Sequence, residues 1–160
     1  MRHYYLDRIL ELEPGVRALG VRCVTLGEDA FSDHFPGNPV FPGVFVLEGL
    51  AQLAGVLLTR SLGGERVALM ASIDRARFSS FARPGDTVHL QVEIEQCDDR
   101  AARVRGEARV QERQIAQTRI SFKLLPVEGL IAPEYLPLWR RTIASWCGEF
   151  PEGADEQSDG

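Results

Sequence analysis

The sequence has few cysteines and no excess of positive charge. The three cysteines of the 160-residue chain lie far apart and form no C-x-x-C pair, so neither a disulfide framework nor a zinc site is indicated. Free thiols are typical of a reducing compartment. With 18 basic and 23 acidic residues, the formal net charge is -5, which argues against the basic surface of a general nucleic-acid binder.

The sequence also lacks a long uninterrupted apolar run. Its most apolar segment, residues 44–58, is interrupted by Glu48 and Gln52 and is shorter than the ~20 residues that a membrane span requires. Residues 1–8 carry charges where a signal peptide has an apolar core. Hydrophobic residues make up 44% of the chain and charged residues 26%, as in an ordinary globular domain. We therefore expect a cytoplasmic protein without a membrane span.

A helix is predicted from residue 43 to about residue 62. Its apolar residues recur at helical spacing, and further apolar residues fill much of the other side. A helix that is apolar nearly all round is predicted to be buried rather than to lie on a surface. The preceding residues 27–42 are rich in glycine, proline, aspartate and asparagine and predict a long loop, an element that often carries function.

Alternating apolar and polar residues predict strands on both sides of this helix. The strands cover residues 16–26, residues 67–73 with a bend at 75–78, and residues 87–94, 103–110 and 115–125. One buried helix combined with a meander of antiparallel strands predicts an α+β fold in which the sheet wraps around the helix.

The residues after the last predicted strand do not continue its alternating pattern. Residues 126–133 predict a linker, and residues 134–149 predict an amphipathic helix with Pro137 in its first turn. We expect its apolar stripe to pack on the body or on a second subunit. The stripe consists of Tyr135, Leu138, Trp139, Thr142, Ile143 and Trp146.

The predicted domain organisation has three parts. Residues 1–126 form the α+β domain and residues 127–150 form a helical extension. Residues 151–160, with four acidic residues and no basic one, form an acidic disordered tail.

Two titratable residues stand out around the start of the predicted central helix. His34 lies in the long loop, and Glu48 lies inside the helix among apolar neighbours. Loss of hydration favours the neutral form of a carboxyl group, so Glu48 is suited to donate a proton while a neutral His34 accepts one. The first amides of the helix, at Gly43 and Val44, have no intrahelical acceptor and can stabilise a carbonyl oxygen that gains negative charge. A base, an acid and an oxyanion donor together can remove a proton next to a carbonyl and expel a β-hydroxyl group.

These residues resemble those of the FabZ-type 3-hydroxyacyl-acyl-carrier-protein dehydratases. The resemblance rests on the segment HFPGNPVFPG at residues 34–43, on Glu48 fourteen residues after the histidine, and on the AQ pair that follows at residues 51–52. It extends to LDRILELEPG at residues 6–15, and to IDRARF and PGD at residues 73–78 and 84–86. It therefore covers roughly residues 6–125.

The resemblance implies a hot-dog fold, in which an antiparallel sheet surrounds a long central helix, with no cofactor or metal. It implies an active site at a dimer interface, with His34 as the base and Glu48 of the other subunit as the acid. Gly43, with Val44 beside it, would bind the thioester carbonyl, and Gln52 would orient Glu48. A glutamate at the acid position, where the related FabA-type enzymes carry aspartate, favours dehydration without isomerisation.

The implied substrate is a 3-hydroxyacyl group on the phosphopantetheine of acyl carrier protein. The implied product is a trans-2-enoyl thioester in fatty-acid or related acyl-chain biosynthesis, made by a homodimer or a higher homo-oligomer. Arg75, Arg77 and Arg83 either face the carrier protein or are ordinary solvated arginines.

Two departures from the family pattern leave other functions open. Asp33 stands where these enzymes usually have glycine, and a carboxylate there that is close enough to the ring would favour the protonated form of His34. The segment from residue 127 onward is additional. The alternatives are a hot-dog thioesterase, in which Glu48 activates water, and a catalytically silent dehydratase-like subunit that binds acyl chains or a partner.

Overall fold

A computed structural model describes residues 3–149 of the chain. Its strands are β1 (Arg8–Glu13), β2 (Arg17–Cys23), β3 (Arg66–Phe78), β4 (Thr87–Cys97), β5 (Ala101–Val110) and β6 (Arg113–Pro126). Its helices are α1 (Gly43–Ser61), α2 (Val127–Leu130) and α3 (Leu136–Trp146). Short 3-10 turns lie at Asp29–Ser32 and Pro133–Tyr135.

The six strands form one antiparallel sheet in the order β1-β2-β4-β5-β6-β3. β1 and β3 are therefore the two edges of the sheet. The inner face carries fully buried apolar residues, such as Val88 and Leu90 of β4, and packs on fully buried leucines of α1, such as Leu53 and Leu57. This arrangement confirms the predicted α+β fold with a buried central helix, because alternate strand residues and most sides of α1 share one core.

The predicted elements and the observed ones differ at a few positions. β3 continues to Phe78, and its register shifts lie between Met70 and Arg75 rather than at the predicted bend. The long loop contains the 3-10 turn Asp29–Ser32, and the predicted linker contains α2. Such single turns have too few residues to show a hydrophobic period.

The C-terminal helix is shorter than predicted, but Pro137 lies in its first turn as expected. Ile143 is buried, and Trp139 and Trp146 are partly buried against the core. Tyr135 and Leu138, at the N-terminal end of the predicted stripe, are exposed on this chain, so only the rest of the stripe packs on the body. The acidic tail predicted at residues 151–160 lies outside the described residues.

Helix α1 is longer than the apolar run at residues 44–58. By length and composition it would suffice to cross a membrane. The sheet covers much of it, and 56% of its apolar window is buried inside the fold. Burial of this kind is typical of the core helix of a globular domain.

Candidate active site

The loop that carries His34 is closed by a tight turn. The Asn38 amide donates to the Phe35 carbonyl at 2.9 Å, with Pro36 and Gly37 as the central residues. Gly37 has a φ of +73°, which the third position of a type II turn requires, and proline suits the position before it. The Val40 amide then donates to the His34 carbonyl at 3.0 Å. The segment HFPGNPV thus folds back on itself and holds the histidine at its base.

The imidazole of His34 has a defined tautomer in this loop. Its Nδ1 lies 2.8 Å from the Val40 carbonyl oxygen. A carbonyl oxygen can only accept a hydrogen bond, so Nδ1 carries the proton of the neutral ring. Nε2 then has a free lone pair, which is the state that a general base needs.

His34 lines an apolar cavity of about 400 Å³ beside the start of α1. The cavity lies between the histidine loop, the end of β3 with the turn that follows it, and the start of β6. Its walls include Phe35, Val40, Gly43, Val44, Phe78, Phe81 and Ile115. Such a cavity is suited to an aliphatic chain, with few polar groups to orient it.

The amides of Gly43 and Val44 lie at the positive end of α1, on the wall of this cavity. They have no hydrogen-bond partner among residues 3–149, since the first helical bonds are those from Phe45 and Val46 to the Pro42 carbonyl. A Cβ at residue 43 would lie 2.9 Å from the Phe78 ring. Glycine is therefore needed for the close approach of Phe78, and its N–H is left uncovered.

Glu48 does not line this cavity. Its Oε1 accepts a hydrogen bond from Gln52 Nε2 at 3.0 Å, one helical turn along α1. The same Nε2 donates to the His3 carbonyl at 2.8 Å, and Gln52 Oε1 accepts from the Tyr5 amide at 2.9 Å. Gln52 therefore joins Glu48 to the segment before β1, and Glu48 is half-buried there.

An aromatic and ionic cluster surrounds this segment. Tyr5 stacks on Phe45 with ring centroids 4.4 Å apart. Burial raises the pKa of Tyr5, the negative charges of Glu28 and Glu48 raise it further, and Arg22 opposes them. Arg22 bonds Asp7 at 2.7 Å and Glu28 at 2.9 Å. Because Glu28 precedes the 3-10 turn that leads to His34, the cluster ties the histidine loop to β1 and β2.

Two charged residues lie in or against the histidine loop. Arg83 donates to the Asn38 side chain at 2.7 Å and to the Pro39 carbonyl at 3.2 Å, so it braces the loop. Asp33 is exposed, and among residues 3–149 its carboxylate forms no hydrogen bond or salt bridge with His34. The carboxylate that stands beside His34 in the sequence is therefore not its hydrogen-bond partner.

Of the sequence-predicted residues, the fold brings His34, Gly43 and Val44 together and brings Glu48 and Gln52 together, in two separate groups. The aromatic wall formed by Phe78 and Phe81 was missed, because nothing local in the sequence links it to the histidine loop. Within the described residues no group of three or more His, Cys, Asp or Glu side chains could hold a metal ion.

Comparison with known proteins identifies the family. Residues 3–119 match the model of the FabA-like domain. A FabZ 3-hydroxyacyl-[acyl-carrier-protein] dehydratase of Chloroflexus aggregans is 42% identical over 118 residues, covering 73% of this chain and 82% of that protein. A FabZ dehydratase of Thermomicrobium roseum is 43% identical over 125 residues, covering 78% and 84%.

Solved structures with the same fold are more distant in sequence. A Streptococcus mutans protein bound to acetyl CoA superposes with a TM-score of 0.61 at 13% identity, over 74% of this chain and 88% of that one. A hypothetical thioesterase with coenzyme A from Streptococcus pneumoniae has a TM-score of 0.61 at 12% identity, over 74% and 85%. These likenesses agree with the hot-dog fold that the sequence resemblance implied.

Proposed function

Because the chain belongs to the FabA-like family and, within it, to the FabZ-type dehydratases, we propose that it dehydrates 3-hydroxyacyl thioesters. The substrate is carried on acyl carrier protein, and the product is the trans-2-enoyl thioester of fatty-acid biosynthesis. The observation that carries this proposal is the apolar cavity lined both by His34, whose Nδ1 is bonded to the Val40 carbonyl, and by Gly43 and Val44 at the start of α1, whose amides have no partner among residues 3–149.

His34 Nε2 removes the proton next to the thioester carbonyl, and the Gly43 amide, with Val44 beside it, stabilises the negative charge on the carbonyl oxygen. Glu48 protonates the departing β-hydroxyl, so that one C–H bond and one C–O bond break, a C=C bond forms and water leaves. The bond from Gln52 occupies Oε1, so the acidic proton is carried on Oε2. His34 and Glu48 are thus the catalytic residues, and Gln52 is a positioning residue.

We propose that the two halves of the site meet across a homodimer, from which higher homo-oligomers can be built. Two apolar surfaces have no cover among residues 3–149. One is the β3 edge, where Met70, Ile73 and Phe78 are exposed, and the other is the start of α1, where Val44 is 61% exposed. Pairing of two β3 edges would cover both, and an edge strand with unpaired backbone groups is a ready surface for such pairing.

The domain division also remains part of the proposal, with catalysis in residues 1–126 and a helical extension at 127–150. A cytoplasmic location fits the free thiols of Cys23, Cys97 and Cys147, since two of these side chains are exposed and a reducing compartment keeps them reduced. No cofactor takes part in the proposed reaction.

The test is an assay of purified protein with crotonyl and 3-hydroxybutyryl thioesters, which reports both directions through the absorbance of the enoyl thioester. We expect turnover in the wild type, and none in folded His34→Ala or Glu48→Gln. Release of free thiol without enoyl formation would support a thioesterase instead. Inactivity of the folded wild type on short and long chains would support a silent subunit.

A mixing experiment tests the shared site. A dimer of one His34→Ala and one Glu48→Gln subunit has one site with both substitutions and one site with neither. Random reassortment of equal amounts should therefore restore about a quarter of the wild-type activity. Restoration of none, in mixtures proven to contain heterodimers, would place both residues of a site in the same subunit.

A further inference from the structure

The C-terminal helix α3 lies beyond the residues that match the family model, which end at residue 119, and it has no assigned role. It is nevertheless docked on the body. Ile143 is buried in the core, and Trp146 is partly buried against it. Beyond the helix, Glu149 receives two hydrogen bonds from Arg60 of α1, both at 2.7 Å. The extension is therefore fixed at a defined position on the domain.

Trp146 makes one contact that leads toward the proposed active site. Its ring packs edge-on against Tyr4, with centroids 5.2 Å apart and an interplanar angle of 84°. Tyr4 lies between His3 and Tyr5, the two residues whose backbone atoms bind the Gln52 amide. The aromatic pair thus holds the short backbone segment on which Gln52 depends.

That segment determines how the side-chain amide of Gln52 is oriented toward Glu48. The Tyr5 N–H can only donate, so it requires the oxygen of the Gln52 amide on its side. The amide nitrogen then faces the His3 carbonyl and Glu48 Oε1, at 2.8 and 3.0 Å. Both amide hydrogens and the amide oxygen are used, so a shift of residues 3–5 displaces the hydrogen bond to Glu48 as well.

We propose that α3 is a positioning element for Glu48, acting through Trp146, Tyr4 and Gln52. This inference rests on the proposed function, because it assigns Glu48 as the acid. Aromatic pairs contribute modestly, so loss of this one should lower kcat by roughly 2- to 12-fold. KM for a short thioester should change less than about twofold, since neither ring lines the cavity that contains His34.

The experiment compares full-length Trp146→Ala and Tyr4→Ala with the wild type. One readout is kcat and KM for dehydration. The other is the ¹³C NMR resonance of the Glu48 carboxyl in protein labelled at the glutamate carboxyl carbon, assigned with Glu48→Gln. We expect both alanine variants to lower kcat and to move the Glu48 resonance. Trp146→Phe, which keeps an aromatic ring, should retain most of the wild-type kcat and leave the Glu48 resonance near its wild-type position.

Leu138→Ala is the matched control, because Leu138 lies on the same helix and is 50% exposed; it should change neither readout. If the folded alanine variants leave the Glu48 resonance and kcat unchanged and lower only the melting temperature, α3 is a packing element and the inference is overturned. The resonance is measured without turnover. A wild type lacking dehydratase activity would therefore refute the proposed function. The resonance would still show whether α3 affects the position of the Glu48 carboxyl.

Discussion

Replacement of Gly43 by alanine tests the cavity most directly, because the added methyl has a known neighbour. A Cβ at this position would lie 2.9 Å from Phe78 Cδ1, with Cε1 and Cγ at 3.1 and 3.2 Å. Carbon atoms in good contact are ~3.5–4.0 Å apart. The Phe78 ring must therefore retreat by about 0.5 Å or more.

The cost in stability should be small. Overpacking of a core costs ~1–3 kcal/mol, but Phe78 is 47% exposed and can move outward, so the lower end of that range applies. Alanine also favours the helix over glycine by up to ~1 kcal/mol. The free energy of unfolding should fall by about 1 kcal/mol or less, which lowers the melting temperature by about 2–4 °C at this chain length.

The cost in activity should be much larger. Gly43 and Phe78 both line the cavity with His34, so the methyl and the displaced ring would narrow the approach to the helix amide. Loss of one oxyanion donor lowers the rate ~10²–10³-fold, and a 1 Å misplacement of reacting groups can cost ~10²-fold. We expect kcat/KM for 3-hydroxybutyryl thioester to fall by about 100-fold.

The assay is enoyl-thioester absorbance beside a thermal melt, with Gly129→Ala as control. A Cβ at Gly129 would meet nothing within 4 Å, and the residue lies in α2, far from the cavity in sequence and absent from its walls. A Gly43→Ala enzyme within twofold of wild-type kcat/KM would refute the argument that substrate approaches this amide. A fall in melting temperature beyond ~10 °C would refute the argument that the Phe78 ring can move outward to accommodate the methyl group.

Three further predictions concern the Glu48 side of the domain. Gly49→Ala should lower the free energy of unfolding by about 2–3 kcal/mol in a denaturant titration, because its Cβ would lie 2.6 Å from the Tyr5 carbonyl oxygen; an unchanged midpoint would contradict this. Arg22→Met should cost about 1–3 kcal/mol by the same titration, since Asp7 and Glu28 lose a partly buried cation; an unchanged midpoint would show that the cluster is not structural. The phenol of Tyr5 should ionise above its ordinary pKa of 10.0, measured as the difference in phenolate absorbance between the wild type and Tyr5→Phe. Because the fold favours the neutral phenol, Tyr5 makes its full contribution to the free energy of unfolding below pH 10. That contribution is lost as the pH rises through the raised pKa.

The sequence predicts most of the fold because the helical and strand spacings of its apolar residues are regular and involve only nearby residues. The start of α1 at Gly43 follows from the Pro42-Gly43 pair, and the alternation in residues 87–94 predicts β4 with the correct inward face. The type II turn in the histidine loop is likewise local, since proline and glycine stand at the two positions that it requires. These features depend on neighbours a few residues apart.

What the sequence could not predict depends on contacts between distant residues. Gln52 was assigned a role beside Glu48 through the family resemblance, but its bonds to His3 and Tyr5 span 49 and 47 residues. The approach of Phe78 to Gly43 has no local signal either. Hydrophobic periodicity and secondary-structure propensity are local properties. They do not show which loop packs against which end of a helix, because that depends on tertiary contacts.

The proposed base and the proposed acid are connected to different parts of the sheet. The His34 cavity is walled by the end of β3, whereas Glu48 is linked through Gln52 to the segment that precedes β1. β1 and β3 are opposite edges of the same sheet, with α1 between them. Within one chain the proposed base and the proposed acid therefore belong to two separate groups of residues. In the proposed dimer the two copies join along β3, the strand whose end walls the His34 cavity. A charge introduced at Ile73, in the middle of the exposed β3 edge, should then abolish dehydration in the enoyl-thioester assay without a change at His34 or Glu48.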